Sequence, residues 1–376
     1  MSATPESTPT ANLAATATDA ASLRERFHAA RAAGKRAKDA AESLGVSEGE
    51  AVAAHAGDHD YALKATPLKG PWVEILQALE LCGPVMALTR NESTVHEKTG
   101  VYRNVSAMGA TGMMGLALSE DIDLRLFFSK WHAGFAVFEP ANNAENPPSQ
   151  SLQFFDTSGL AVHKIFVRPE TDRQAFNDIV SQFTDAGKVS AFTPAAPKDA
   201  VKPDSEIDAA GLAQAWSEMT DTHQFFGLIN KFGVERQQSF RLVEGRYAVR
   251  LQNDVVRVLL DEASVDGTAI MVFVGSPGCI QIHTGPVKRI EPMVTPTAQW
   301  INVLDAGFNL HLREDMIASA WVVEKPTEDG VVTSVEVFDT RGELMVMFFG
   351  ARKPGAPELQ GWRDIAARLP RLQAAA

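Results

Sequence analysis

His223 stands at the start of a segment rich in apolar residues, DTHQFFGLINKFGVER over positions 221–236. The apolar positions of this segment recur at helical spacing, with Asp221 or Thr222 suited to cap the first turn and Gly233 suited to end it. The start of a helix disfavours positive charge, so this position suits a neutral imidazole, the form that ligates metals. The segment predicts either a ligand histidine or an ordinary surface histidine.

Aromatic side chains and a cation accompany His223. Phe225 and Phe226 supply apolar surface, and Arg236 supplies positive charge at the far end of the segment. A porphyrin brings four iron ligands itself, so haem needs from a protein only one or two axial side chains, apolar walls and cations for its two propionates. The segment therefore fits haem, whereas the other histidines do not pair at the spacing of a zinc site.

The composition argues against several other classes of protein. The net charge of −12 and a pI near 5.3, without a cluster of Lys and Arg, argue against a nucleic-acid partner. The sequence has neither a signal-peptide pattern at its start nor an apolar run long enough for a membrane span. Cys82 and Cys279 stand singly in apolar surroundings. We therefore expect a cytoplasmic protein.

The length of 376 residues exceeds what one core usually supports. We predict a disordered tail over 1–20, a first repeat over 21–190, a linker over 191–208 and a second repeat over 209–370. Apolar periodicity in the first repeat predicts helices over 21–33, 37–44, 47–56, 72–81 and 173–183. Alternating apolar and polar residues predict strands over 85–89, 101–105, 124–128, 134–138, 152–155 and 162–167.

Tandem repetition is the main organisational feature. VHEKTGVYRNV at 95–105 aligns without gaps with IQIHTGPVKRI at 280–290, and FFDTSG at 154–159 aligns with VFDTRG at 337–342 with almost the same offset. The shared Thr-Gly and Asp-Thr-x-Gly pairs predict hairpin turns rather than a site. Helices followed by strand-rich regions predict an α+β fold in which each half is a largely antiparallel sheet with flanking helices. His223 has no counterpart in the first half, which favours a specific role for it.

The chain resembles the bacterial HemS/HmuS family of haemin-degrading or haem-trafficking proteins. The resemblance runs from about residue 23 to 369 and is carried by MTDTHQFFGLINKFGVERQQ, VFVGSPGCIQIHTG, FNLHLRED, EKPTEDGVVTSVEVFD and FFGARKPG. It implies that His223 is the axial iron ligand and that Arg125 lies on the distal side as a catalytic residue. The other haem-binding positions that the resemblance and the residue types indicate are Phe127, Phe226, Arg236, Lys325, Phe349 and Arg352.

The chain departs from the family pattern at two places that contact haem in relatives. Relatives often carry Gln-x-Tyr where this chain has Met347 and Phe349, so we expect weaker hydrogen bonding to the propionates. Gly112 stands where some relatives have a second haem-ligating histidine, so we expect no secondary site. Without the resemblance, Lys325 and Arg352 would be interpreted as solvated cations at strand ends.

The resemblance implies a haem-binding protein that accepts imported haem and either degrades it to release iron or passes it on. Degradation would be haem oxygenase-like and would require an external electron donor. The alternative is a non-catalytic chaperone or storage protein that delivers haem to a separate haem oxygenase. The expected partners are haem, a haem importer and that oxygenase. A third hypothesis is an interaction scaffold that binds no cofactor.

Overall fold

The computed structural model describes residues 10–109, 112–141, 148–185, 191–197, 200–352 and 355–372. It contains antiparallel sheets with flanking helices, which confirms the predicted α+β fold. The helices are α1 Thr10–Ala32, α2 Ala37–Ser43, α3 Glu48–Ala53, α4 Trp72–Ala78, α5 Arg173–Phe183, α6 Ala209–Ser217, α7 Gln224–Phe232, α8 Arg236–Leu242, α9 Val255–Asp266 and α10 Gln360–Arg368.

Strands β1 to β9 lie in the first half of the sequence, and strands β10 to β18 lie in the second half. Those of the first half are β1 Lys64–Leu68, β2 Val85–Arg90, β3 Thr94–Gly100, β4 Ser106–Met108, β5 Met114–Leu118, β6 Asp123–Phe127, β7 Ala133–Glu139, β8 Ser149–Phe155 and β9 Ala161–Val167. Those of the second half are β10 Ala248–Leu251, β11 Ile270–Gly275, β12 Cys279–Gly285, β13 Ile290–Thr295, β14 Ala298–Asp305, β15 Phe308–Arg313, β16 Ile317–Thr327, β17 Gly330–Asp339 and β18 Leu344–Gly350.

The chain forms two compact units that are discontinuous in sequence. Unit 1 comprises residues 1–85, 105–115 and 127–195, and unit 2 comprises residues 86–104, 116–126 and 196–376. In unit 1, strands β1, β7, β8 and β9 are antiparallel neighbours in that order. Helix α3 begins with a capping box of Ser47 and Glu50 and packs near this sheet.

Unit 2 holds two runs of neighbouring strands, β10-β16-β17-β18-β11-β12-β6 and β2-β3-β15-β14-β13. Helices α9 and α10 pack on one face of the first run through an apolar core that includes Leu259, Val272 and Trp362. Helices α6, α7 and α8 cover part of its other face through a second core that includes Trp216, Phe240 and Trp321. Arg236, on α8, lies at this second face.

The tandem repeat is visible in the elements themselves. In the sequence alignment of the two halves, β12 coincides from end to end with β3, and β18 coincides with β9. The pairing partners are exchanged between the halves, since β3 pairs with β15 while the equivalent β12 pairs with β6. The predicted boundaries of the repeats and the linker describe the sequence and stay predictions, because the compact units combine segments of both halves.

The Asp-Thr-x-Gly pairs are hairpin turns, as predicted. The Oδ1 atom of Asp156 accepts from the backbone of Ser158 and Leu160 at 2.8 and 3.0 Å. The Oδ1 atom of Asp339 accepts in the same way from Arg341 and Glu343 at 2.8 and 2.9 Å. The Thr-Gly pairs at 99–100 and 284–285 were wrongly predicted as hairpin turns, because each of them ends a strand, β3 or β12.

Other local predictions need correction. Residues 101–105 form no strand, because the backbone there turns and Asn104 adopts a φ of 51°. Of the tail predicted over residues 1–20, positions 1–9 lie outside the described residues, while the alanine-rich positions that follow belong to α1. The predicted end of the helix at Gly233 is confirmed, because Gly233 adopts the left-handed conformation with a φ of 60° and ends α7. Arg236 begins α8 after a capping box of Glu235 and Gln238.

Candidate functional site

His223 lies in a tight turn before α7, at the N-cap position and without a side-chain cap. The prediction that Asp221 or Thr222 caps the helix was therefore wrong. The Oδ1 atom of Asp221 instead accepts from the backbone N–H of His223 at 2.7 Å and lies 2.6 Å from its Nδ1 atom. The imidazole is 91% exposed. One carboxylate oxygen thus sets both the backbone and the ring orientation of an accessible histidine.

Neighbouring side chains hold this turn in place. The Oε1 atom of Gln224 accepts from the backbone N–H of Thr220 at 2.9 Å. The backbone N–H of Glu328, between β16 and β17, donates to the carbonyl oxygen of Thr220 at 3.0 Å. The hydrogen bonds from His223, the backbone one first, and the nearby charge of Arg352 lower the pKa of Asp221. This carboxylate therefore stays ionised at neutral pH.

Helix α7 presents two different faces. Phe225, Leu228 and Ile229 are buried in the core with Trp216, whose ring centroid lies 4.9 Å from that of Phe225. Phe226, by contrast, is 69% exposed. A helical periodicity places apolar side chains in the core on one face, but it does not explain an exposed aromatic ring one turn from His223. Phe226 is therefore available to a ligand.

A buried cluster of charges lies beside α7. Glu336 on β17 is fully buried, and its carboxylate binds two of the three predicted propionate cations. Arg236 donates to it from Nε and Nη2 at 2.7 and 2.9 Å, and Lys325 donates from Nζ at 2.8 Å. Both cations also lie over the ring of Phe225, at 5.0 and 4.8 Å from its centroid. We call Arg236, Lys325 and Glu336 the charge triad.

Opposing influences set the ionisation of the triad. Burial by itself raises the pKa of Glu336, but the charges of Arg236 and Lys325 outweigh it and bring the pKa to about 2. Burial lowers the pKa of Lys325, which Glu336 opposes. With all three groups ionised, the triad carries one net positive charge, because one of the two cations is already neutralised.

A row of cross-strand partners leads from the triad across the sheet. Partners directly opposite each other lie on one face, and the paired positions in this row are Glu336, Met347, Phe273, Ile282 and Asp123. The next row contains Phe349, whose ring lies 5.0 Å from that of Phe273. Met347, Phe273 and Phe349 are only half-buried. The row spans β17 to β6, about 19 Å at the usual spacing of strands.

Arg125 lies at the β6 end of this face. It pairs with Ile280 of β12 in the register, and its guanidinium donates to Asp123, two residues before it on the same strand. Phe127 ends β6 and is half-buried. Arg125 is therefore held by a carboxylate, which the sequence did not predict.

Arg352 follows β18 and lies close to the His223 turn. Its Nη2 atom is 3.7 Å from Oδ2 of Asp329, in the turn between β16 and β17. Its charge also acts on Asp221. The structure thus brings Arg352, Asp221 and His223 together at one end of unit 2, while Arg236 touches the sheet face through Sδ of Met347 at 3.4 Å.

Two residues of the site, Asp221 and Glu336, were not predicted as such from the sequence. Asp221 was predicted to be a helix cap, and Glu336 was not considered. One signal was available for Glu336: a single acid within the apolar strand VVTSVEVF, since a buried charge needs a partner. The partner Arg236, 100 residues earlier, was not evident from spacing.

Comparison with known proteins decides the family. A family model described as the haemin-degrading HemS.ChuX domain matches residues 45–183 and again residues 233–369. The chain belongs to this family. The predicted resemblance is thereby confirmed, and so is the duplication of one domain within the chain.

Relatives of the HemS family match nearly the whole chain. The hemin transport protein HmuS of Yersinia pestis is 38% identical over 352 residues, 93% of this chain and 97% of the relative. The crystal structure of holo-PhuS, a heme-binding protein from Pseudomonas aeruginosa, is 44% identical with a TM-score of 0.87, covering 94% of this chain and 99% of that one. The heme degrading enzyme ChuS of Escherichia coli O157:H7 is 36% identical with a TM-score of 0.83, covering 93% and 99%.

Haem is the cofactor that membership of the HemS family implies, and the residues of unit 2 fit it. His223 offers an exposed ring, whose Nδ1 atom faces Asp221. Phe226 and the half-buried face with Phe349 offer apolar surface. Within the described part of the chain, no group of three or more His, Cys, Asp or Glu side chains is placed to hold a bare metal ion. The described helices include none that combines the length and apolar character needed to cross a membrane.

Proposed function

We propose that this chain is a cytoplasmic haem-binding protein that accepts imported haem and either degrades it to release iron or passes it on. The observation that carries the proposal is the exposed His223 ring held by Asp221 at 2.6 Å, in a chain of the HemS family. Iron-ligating histidines usually donate their second ring N–H to such a carboxylate, because this fixes the tautomer and makes the ligating nitrogen more basic.

Different residues of unit 2 would contact the iron, the ring and the propionates of haem. His223 would hold the haem iron through Nε2, with Asp221 accepting from Nδ1. Phe226 and Phe349 would cover the ring system, while the predicted wall residue Phe127 belongs to unit 1 and stays a prediction. Arg236 and Arg352 bind the propionates, with Lys325 contributing positive charge from within the triad. Met347 and Phe349 supply no hydrogen bond to the propionates, so the cations carry that role.

Haem supplies a redox-active iron and a ring that can be oxidised. Arg125 would contribute a permanent positive charge, which could stabilise negative charge that develops during ring opening. Its guanidinium donates to Asp123, which fixes its orientation. This arrangement favours degradation when an external electron donor is present.

The carrier function is the second candidate, and the exposure of His223 and Phe226 favours it. A ligand bound at an exposed histidine can be passed to an acceptor without opening the fold. The expected acceptor is a separate haem oxygenase, and the expected source is a haem importer.

Titration with haemin tests the proposal. We expect one Soret band that saturates at one haem per chain, and we expect His223→Ala to shift its maximum and weaken retention. His132→Ala is the control, since His132 is also exposed but lies in unit 1. The absence of any Soret band with the wild type would support the scaffold hypothesis instead.

Addition of a reductant under air separates the two modes. Loss of the Soret band with release of iron and carbon monoxide indicates degradation. A stable band, with rapid transfer of haem to apomyoglobin, indicates a carrier.

A further inference from the structure

Glu336 lies between two cations of the candidate site, Arg236 and Lys325. It is fully buried between two cations, and its Oε1 atom accepts from Lys325 at 2.8 Å and from the hydroxyl of Ser334 at 3.0 Å. Its two oxygens bind Arg236 through a fork of two hydrogen bonds. The planar guanidinium has no freedom to rotate while both bonds are made.

The fork determines which edge of Arg236 remains available. Nε and Nη2 are directed at Glu336, and Nη2 also contacts Sδ of Met347 at 3.4 Å. The side chain is still 25% exposed, whereas that of Lys325 is 4% exposed. The remaining Nη1 edge is therefore the part of the triad that a ligand can reach first. Both cations also lie over the aromatic ring of Phe225.

The first half of the chain has no such triad. The alignment that superimposes the two Asp-Thr-x-Gly turns places Gln153 at the position of Glu336. Gln153 is buried, but its amide donates to Ser151 at 3.0 Å and carries no charge. The shared fold thus does not require an acid at this position, which indicates a role specific to the second half.

We propose that Glu336 is a positioning residue for carboxylate recognition: it holds Arg236 and Lys325 in a fixed arrangement so that a propionate of the ligand meets oriented cations. This inference rests on the proposed haem-binding function and deepens it. Without Glu336, two like charges over one aromatic ring repel each other, and Arg236 has no partner that fixes its plane. The affinity of the site for a porphyrin with free carboxylates then falls more than its affinity for the porphyrin ring itself.

The preference for haem over haem dimethyl ester, expressed as the ratio of their dissociation constants, tests this role. Charge-assisted hydrogen bonds predict a wild-type preference of roughly tenfold or more. We expect Glu336→Gln to reduce the preference to near unity and Glu336→Asp to restore part of it. Glu48→Gln is the matched control, since Glu48 also forms a buried pair with a lysine, Lys164 at 2.6 Å, but lies in unit 1.

A second variant addresses misfolding. Glu336→Gln leaves two buried cations without an anion, so circular dichroism and thermal unfolding must show that it folds. The double variant Lys325→Met/Glu336→Gln removes one charge of each sign. It leaves Arg236 without the carboxylate that fixes the plane of its guanidinium. We expect it to fold and to lose the preference for haem over the ester.

Three outcomes bear on the inference. A reduced preference in a folded Glu336 variant with an unchanged Soret maximum supports it. A wild-type preference in the folded double variant overturns it while leaving the proposed function intact. A wild type that binds no haem overturns the proposed function itself, and this inference with it.

Discussion

The Oδ1 atom of Asp221 lies 2.6 Å from Nδ1 of His223 and also accepts from the backbone N–H of that histidine at 2.7 Å. The ring and the turn that carries it are therefore oriented together by one atom. An acceptor at Nδ1 leaves Nε2 as the nitrogen that can ligate iron. His223 thus presents a defined ring nitrogen to solvent.

Asp221→Asn should weaken haem binding by about 10- to 100-fold, because loss of a carboxylate partner commonly reduces metal affinity by that factor. The stoichiometry should stay at one haem, since His223 is still present. Haemin titration and the rate of haem loss to apomyoglobin measure the effect. Asp208→Asn is the control, because Asp208 caps α6 in the same unit by accepting from Gly211 at 2.8 Å. Equal effects of the two substitutions would contradict a specific role for Asp221.

Arg125→Ala should leave the affinity for ferric haem within about tenfold, roughly 1.4 kcal/mol, yet slow reductant-dependent ring opening much more. The reason is that a permanent positive charge matters most where negative charge develops. Single-turnover absorbance measurements give both quantities. Arg313→Ala is the control, since Arg313 also pairs with an acid two residues away, Asp315 at 2.6 Å. Equal losses of binding and turnover in Arg125→Ala would make Arg125 a structural contact.

Arg236→Ala and Arg352→Ala should differ in their effect on stability. Both should weaken haem binding and reduce the preference for haem over its dimethyl ester. Only Arg236→Ala should also lower the free energy of unfolding, by roughly 3–5 kcal/mol, because it leaves Glu336 buried with one of its two cations. Arg352 is 3.7 Å from a partly exposed acid, so its loss should change stability little. Urea unfolding of the apo-proteins measures the contrast, and a stable Arg236→Ala variant would contradict the triad.

His283 should make the fold sensitive to mild acid. Burial, followed by the charge of Lys98, lowers its pKa from 6.5 to about 3. The ring stacks on Phe308 at 3.7 Å and Nδ1 lies 3.2 Å from Nζ of Lys98. The unfolded state therefore binds a proton below pH 6.5 that the folded state does not bind, so stability falls as pH falls from 6.5 towards 3.

The size of that loss should be on the order of a few kcal/mol. The free energy of unfolding in urea, measured between pH 4 and 7, should fall less steeply in His283→Gln than in the wild type. An unchanged slope would mean that other groups account for the acid sensitivity.

Local chemistry in the sequence determined the ends of several elements and the accessible part of the site. The capping box of Ser47 and Glu50, the Asp-Thr-x-Gly turns and the stop at Gly233 were all predictable, because the atoms that decide them lie within about four residues of each other. The apolar periodicity of α7 likewise predicted a helix near His223. The repeat was visible because two copies of one domain retain similar patterns.

Tertiary structure alone decided the remainder of the site. Glu336 reaches Arg236 across 100 residues, and β6 joins β12 of the other sequence half. Both pairings depend on which strands become neighbours, and the alternation of side chains along a strand carries no information about that choice. Two predicted ligand cations therefore proved to be bound to a buried acid, since charges brought out of water by the fold must be neutralised within it.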